Sequence, residues 1–135
     1  MMNIHVLRRA SHLVAFLSAS IVLTACAAMS DGMMPAKVAD GAMTNTAGMT
    51  LYTFDKDTVS SGKSVCNGPC VAIWPAFGAP SEAKAAAGWS VVTRDDGSRQ
   101  WAYKGKPLYL FARDAKPGDR TGDGFNNNLW HIARP

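Results

Sequence analysis

Leu51-Tyr52-Thr53-Phe54-Asp55-Lys56-Asp57 returns 57 positions later as Leu108-Tyr109-Leu110-Phe111-Ala112-Arg113-Asp114. Tyr and Phe two residues apart share one face of a strand and can fill a core layer. An Asp three residues past the Phe falls beyond the strand, where its carboxylate can accept turn amides or a tyrosine hydroxyl. The likeness continues downstream: Tyr52 precedes Trp74 by 22 positions and Tyr109 precedes Trp130 by 21. With one deletion, Gly62 falls on Gly118, Cys66 on Gly122, Gly68 on Gly124 and Cys70 on Asn126. The chain is therefore expected to fold as two pseudo-twofold halves, about residues 49–77 and 106–133, each covering a face of the other.

Around the motif the chain reads as strands and turns. Met49–Asp55 is expected as a strand with Tyr52 and Phe54 on one face and Leu51 on the other. Trp89–Arg94 and Arg99–Tyr103 flank Asp95-Asp96-Gly97-Ser98, a hairpin turn in which Gly97 can take positive φ. Lys104-Gly105-Lys106 is a second tight turn, followed by a strand at Pro107–Ala112, and Asn128–Ala133 is the last strand. One short helix is expected at Glu82–Ala87, with Ser81 as its cap and Gly88 as its stop. The expected fold class is mainly β: antiparallel strands in two pseudo-repeated halves with one short helix.

A chain of 135 residues, 47% apolar, has room for one domain with a single core. Its formal charge of +4 falls to +2 without Arg8 and Arg9, and no basic run interleaved with aromatics remains. A nucleic-acid partner is not expected. Those two arginines precede an apolar run of 11 residues, Leu13–Leu23, too short to span a bilayer but suited to a signal peptide over residues 1–25. It ends in Leu23-Thr24-Ala25-Cys26, which resembles the bacterial lipobox, whose cysteine receives a diacylglyceryl thioether before cleavage at its amino side. The alternative is an ordinary secretory signal cleaved beside Cys26. On the lipoprotein reading, Cys26 is the lipidation site and the membrane is a partner through that lipid. Ala27 after it leans toward the outer membrane, with the domain facing the periplasm. Residues 26–48, rich in small residues without a period, are expected as a lipidated N-terminus and flexible tether, the last part entering a strand from about Lys37.

The doubled Tyr-x-Phe-x-x-Asp behind a lipobox, with Cys66-Asn67-Gly68-Pro69-Cys70, Trp74-Pro75, Gly105-Lys106-Pro107-Leu108-Tyr109, Pro117-Gly118-Asp119 and Trp130, resembles the secreted-repeat lipoprotein family. The resemblance covers Gly48 to Pro135. It implies an envelope location and a repeat architecture, and it brings no established activity.

Lipidation of Cys26 leaves Cys66 and Cys70 as an even pair in an oxidising compartment. Their three-residue spacer is one longer than the thiol-oxidoreductase motif, and Asn67-Gly68-Pro69 favours a turn with no helix after it. A structural disulfide is the leading expectation, with a redox-active pair or metal ligation as alternatives. His131 reads as an ordinary strand histidine, and Met29, Met33, Met34, Met43 and Met49 are too irregularly spaced for a copper site. Asp119–Gly124 starts like a calcium loop, but Trp130 stands where the bidentate Glu is needed, and no metal is expected. Asp95 and Asp96 belong to the hairpin turn. No Ser-His-Asp set, phosphate loop or usably paired acids occur, so neither an enzyme nor a cofactor is expected. Tyr52, Phe54, Asp57, Tyr109, Phe111 and Asp114 then act as core layers, or as paired aromatic-acidic ligand sites. The expected function is a lipid-anchored envelope protein with a non-enzymatic binding or structural domain, acting on an unknown envelope protein or ligand. The alternative is a redox or electron-transfer accessory using Cys66/Cys70 or a metal.

Overall fold

Tyr52 and Tyr109 face one another across an antiparallel bridge. The Tyr52 amide donates to the Tyr109 carbonyl at 2.8 Å, and the Tyr109 amide returns the bond at 2.9 Å. Around this point the computed structural model describes residues 34–135. Its elements are β1 (Lys37–Ala39), β2 (Ala42–Thr44), β3 (Tyr52–Phe54), α1 (Pro69–Ile73), β4 (Trp89–Thr93), β5 (Arg99–Tyr103), β6 (Lys106–Pro107), α2 (Phe125–Asn128) and β7 (Trp130–Ile132). All strand pairs are antiparallel: a β1–β2 hairpin, a β3–β7 pair and a β4–β5–β6 sheet. The domain is mainly β and consists of two like halves.

The halves repeat bond for bond. Leu51 donates its amide to Met43, as Leu108 does to Trp101, both at 2.9 Å. Asp55 donates to Leu129 and Ala112 to Ile73, again both at 2.9 Å. Ala133 donates to Leu51 at 2.8 Å, matched by Phe77 to Leu108 at 2.9 Å. Each end strand thus closes on the motif strand at an equivalent place, and the axis relating the halves passes between the two tyrosines.

Period-two alternation sends Tyr52 and Leu51 to different cores. Tyr52 joins Cys66, Trp74, Tyr109, Phe111, Trp130 and Ile132, with Phe54 half-buried against them. Leu51 joins Met43, Trp89, Trp101, Leu108 and Ala133. Trp130 and Ile132 share a face of β7, as expected. The hairpin at Asp95–Ser98 forms with Gly97 at φ 81°, and its Ser98 amide is held by Asp96.

The packed domain begins before Met49, inside the segment expected as a tether. Asp40-Gly41 forms the two-residue β1–β2 turn at φ 47° and 73°, and Ala42 and Met43 are buried. Two residues with positive φ suit the right-handed twist of a hairpin, so the turn orders what composition left loose. Cys26, with the signal segment, Met29 and Met33, lies outside the described residues.

The helix expected at Glu82–Ala87 does not form. Ser81 donates its hydroxyl to Glu82 rather than capping backbone amides, and the Arg99 guanidinium takes the carbonyls of Pro80, Ser81 and Ala83. A six-residue helix has little chance to repay its nucleation, and the half-buried Arg99 satisfies the carbonyls instead. The helices lie elsewhere, at equivalent places in the two halves. α1 starts at Pro69 after Gly68, and so follows directly on the Cys66 turn where no helix was expected. α2 follows Gly124, but Asn126, Asn127 and Asn128 all hold positive φ, so it is a left-handed turn more than a helix.

The stacked aromatics set a testable scale. Phe111→Ala, at a buried position, should destabilise by about 3–5 kcal/mol in urea unfolding, and Phe54→Ala, half-buried, by less. Near-neutral unfolding curves for Phe111→Ala would remove it from the core role.

Candidate functional site

Each motif strand ends in a turn that returns the Asp toward the axis. The Asp57 amide donates to the Phe54 carbonyl at 3.0 Å and the Asp114 amide to Phe111 at 3.1 Å. The carboxylates then cross. The Tyr52 hydroxyl donates to Asp114 Oδ2 at 2.7 Å, and the Tyr109 hydroxyl donates to Asp57 Oδ2 at 2.5 Å. The remaining oxygens take equivalent loop amides, Val65 on Asp57 at 2.8 Å and Thr121 on Asp114 at 3.0 Å. So the motif is not two separate sites: the tyrosine of each half is held by the aspartate of the other.

The rings cross in the same way. Phe54 stacks on Trp130 at 4.2 Å and Phe111 on Trp74 at 4.3 Å. Trp74 and Trp130 stack on each other at 3.7 Å, 2° from parallel, while Tyr52 meets Trp74 and Tyr109 meets Trp130 edge-on. Both tyrosines are fully buried. Burial, followed by the hydrogen bond to Asp114 or Asp57, pushes each hydroxyl far above the ordinary tyrosine value. Burial also raises the Asp57 carboxyl, against the Tyr109 and Val65 hydrogen bonds and the Arg94 charge. These six residues, singled out by the repeat, are gathered together, five of them buried and Phe54 half-buried.

A buried arginine extends the network on one side only, and nothing in the periodicity marks it. Arg94, 5% exposed, donates to Ser64 Oγ at 3.0 Å, to Gln100 Oε1 at 2.6 Å and to the Cys66 carbonyl. Ser64 in turn shares a 2.6 Å bond with the Tyr109 hydroxyl, and Gln100 Nε2 reaches the Leu108 carbonyl at 2.7 Å. Its one legible sign is Gln100, a polar residue between Arg99 and Trp101 in a strand whose middle is buried.

Cys66 and Cys70 form a disulfide, Cys66 buried and Cys70 half-buried at the first turn of α1. His131 Nε2 pairs with Asp55 Oδ2 at 2.8 Å on the partly exposed outer face of the β3–β7 pair. Asp119 is occupied by the Ala115 and Lys116 amides and the Lys116 ammonium, and Asp123 by the Ile132 amide. Met43 is buried in the second core, Met49 half-buried and Met34 exposed. Among the described residues no three His, Cys, Asp or Glu gather as a metal site. Between β7 and the turn before β6 runs an open groove of about 440 Å³, with Lys104, Lys106 and Arg134 on it.

A family model described as a secreted repeat of unknown function matches residues 35–77 and again 90–134. Each match includes the hairpin before the motif, so the repeat unit starts earlier than 49 and 106. No curated protein and no solved structure gives a significant match.

The crossed bonds make a signed prediction. Tyr109→Phe strands the Asp57 carboxylate and should cost about 1–3 kcal/mol. Because both tyrosines are raised in the fold, their contribution is present below the ordinary value of 10 and is lost as pH rises above it, when the unfolded chain ionises first. Tyr52→Phe/Tyr109→Phe should therefore flatten the alkaline limb of stability measured against pH; an unchanged limb would contradict the buried bonds.

Proposed function

The chain belongs to this family of secreted repeats, whose function is unknown, and we propose that it is a lipid-anchored bacterial envelope protein with a non-enzymatic binding or structural domain. One observation carries the reading of the domain: the hydroxyls and carboxylates of both motifs bond to each other across the two halves. They supply architecture and offer no reacting group to solvent. The anchor rests on Leu23-Thr24-Ala25-Cys26 behind a short apolar run, and two or more acyl chains would hold it stably where one would not. Ala27 favours the outer membrane, facing the periplasm, and the partner is an envelope protein or ligand, not nucleic acid. No helix among the described residues is long and apolar enough to cross a membrane.

The disulfide is read as structural, closing the Cys66–Cys70 turn under Arg94. The second half places Gly122 and Asn126 at the equivalent positions and has no covalent bond there. For so short a loop the chain-entropy contribution is about 2 kcal/mol, less than for longer loops.

Labelled palmitate should enter the wild-type protein and not Cys26→Ser; label in the variant would sink the anchor. The Cys66–Cys70 couple should have a reduction potential below about −300 mV, and Cys66→Ala/Cys70→Ala should keep its fold with a lowered melting temperature. A potential well above that, with free thiols in envelope-derived protein, would favour the redox alternative.

A further inference from the structure

The first core holds an arrangement that the second lacks. Successive ring stacks join Phe54, Trp130, Trp74 and Phe111, with the two indoles parallel at 3.7 Å in the middle. A tyrosine stands edge-on to each indole, Tyr52 at 5.4 Å from Trp74 and Tyr109 at 5.1 Å from Trp130. Both hydroxyls donate to carboxylates, at 2.7 Å to Asp114 and at 2.5 Å to Asp57. The second core also has two tryptophans and a tyrosine. There Trp89 meets Trp101 edge-on at 5.8 Å, and Tyr103 lies tilted 5.0 Å from Trp89. Among the described residues only Tyr52 and Tyr109 bond a carboxylate through their hydroxyls.

Indole and phenol are the side chains most readily oxidised by one electron once the thiols are tied in a disulfide, as Cys66 and Cys70 are. Two indoles in parallel face contact share a positive charge, which stabilises the cation radical relative to that of a single ring. A phenol gives up an electron readily only if its hydroxyl proton leaves with it. Here a carboxylate already stands at hydrogen-bond distance to receive that proton. Burial raises the Asp57 carboxyl, which makes it the stronger base for this purpose. A second donor then faces each oxygen, the Ser64 hydroxyl on Tyr109 at 2.6 Å and the Gly122 amide on Tyr52 at 3.3 Å. Electrons tunnel through packed protein, so burial of the rings is no barrier. A domain of this size has a radius of gyration of about 13 Å, which keeps every ring near the surface.

We propose that the Trp74–Trp130 pair is a one-electron oxidation site and that Tyr52 and Tyr109 are its internal electron donors. A diffusible oxidising radical, of the kind peroxide chemistry generates, takes one electron from the indole pair and is itself reduced. One tyrosine then returns an electron to the pair, while its proton passes to the Asp114 or Asp57 carboxylate. The products are two neutral indoles, a phenoxyl radical and a carboxylic acid bonded to it. The domain thereby acts as a sink for oxidising radicals, a function independent of the lipid anchor and of the disulfide.

The test is pulse radiolysis of the full-length protein in nonionic detergent with azide radical as the oxidant, read by transient absorption. The indole radical should decay into a phenoxyl radical in a first-order step, independent of protein concentration and slower in heavy water. The chain has three tyrosines, so in Tyr103→Phe any phenoxyl signal belongs to Tyr52 or Tyr109. That variant should keep the full phenoxyl yield, and Tyr52→Phe/Tyr109→Phe should lose the first-order step. Trp74→Phe, which leaves a ring in the stack, should slow the step, whereas Trp89→Phe should not. Loss of the phenoxyl signal in Tyr103→Phe, a rate that follows protein concentration, or an equal rate in heavy water would overturn the proposal. Slowing by Trp89→Phe and not by Trp74→Phe would overturn it as well. Tyr103→Phe leaves the buried pairs untouched, so its result stands whether or not the double variant folds.

Discussion

Two buried tyrosine hydroxyls, each held by a carboxylate from the opposite half, are the interaction on which the structure depends. A carboxylate taken out of water is costly unless its oxygens are bonded, and here both oxygens of Asp57 and of Asp114 are bonded. One oxygen of each carboxylate is bonded from the half that does not contain the aspartate. An isolated half would bury a tyrosine without its acceptor and an aspartate without its donor, and its tryptophan would lose the facing ring of the other half. The folding unit is therefore the pair, and a single repeat has no reason to be stable alone.

The pseudo-symmetry is kept in the backbone bonds of the motif strands and broken in the loops that follow them. Cys66 and Gly122 are equivalent, yet Gly122 has no room for a Cβ, which would lie 2.7 Å from the Trp74 ring. The amide of Gly122 reaches the Tyr52 hydroxyl at 3.3 Å, whereas the equivalent Cys66 amide goes to Ser64. The first half fixes its loop with a disulfide and the buried Arg94. The second uses three asparagines in left-handed conformation, a region that Asn tolerates better than most residues. The two loops thus span equivalent places with unlike chemistry and unlike backbone conformation, helical in α1 and left-handed in α2.

Much of this was legible in the sequence, for identifiable reasons. Tyr-x-Phe at strand spacing fixes a shared face, and the 22- and 21-residue intervals to Trp74 and Trp130 fix the repeat. Spacing does not name a partner across the axis, so the exchange of carboxylates between halves could not be read from either motif alone. Asp40-Gly41 is a strong hairpin signal, but the small residues around it resemble a tether until Ala42 and Met43 are seen to be buried. The false helix at Glu82–Ala87 came from local caps and propensity, whereas Arg99, far along the chain, decides where those carbonyls bond.

The distribution of order and difference bears on where a repeat protein can acquire a function. Residues on the axis serve both halves at once, so a change at Tyr52, Asp57 or Trp74 disturbs contacts on two sides. Residues farther from the axis can differ between the halves while the paired backbone bonds persist. Phe77 and Ala133 stand at equivalent backbone positions, each bonded to the leucine of the other half's motif strand, and the exchange of a phenyl ring for a methyl group leaves that bond intact. The same holds for Lys106 and Met49, both in the segment leading to a motif strand. Such divergence leaves the crossed tyrosine–aspartate bonds in place. The motif that identifies the repeat is thus the part of the molecule least free to meet a partner, and the unmatched surface is the part most free to do so.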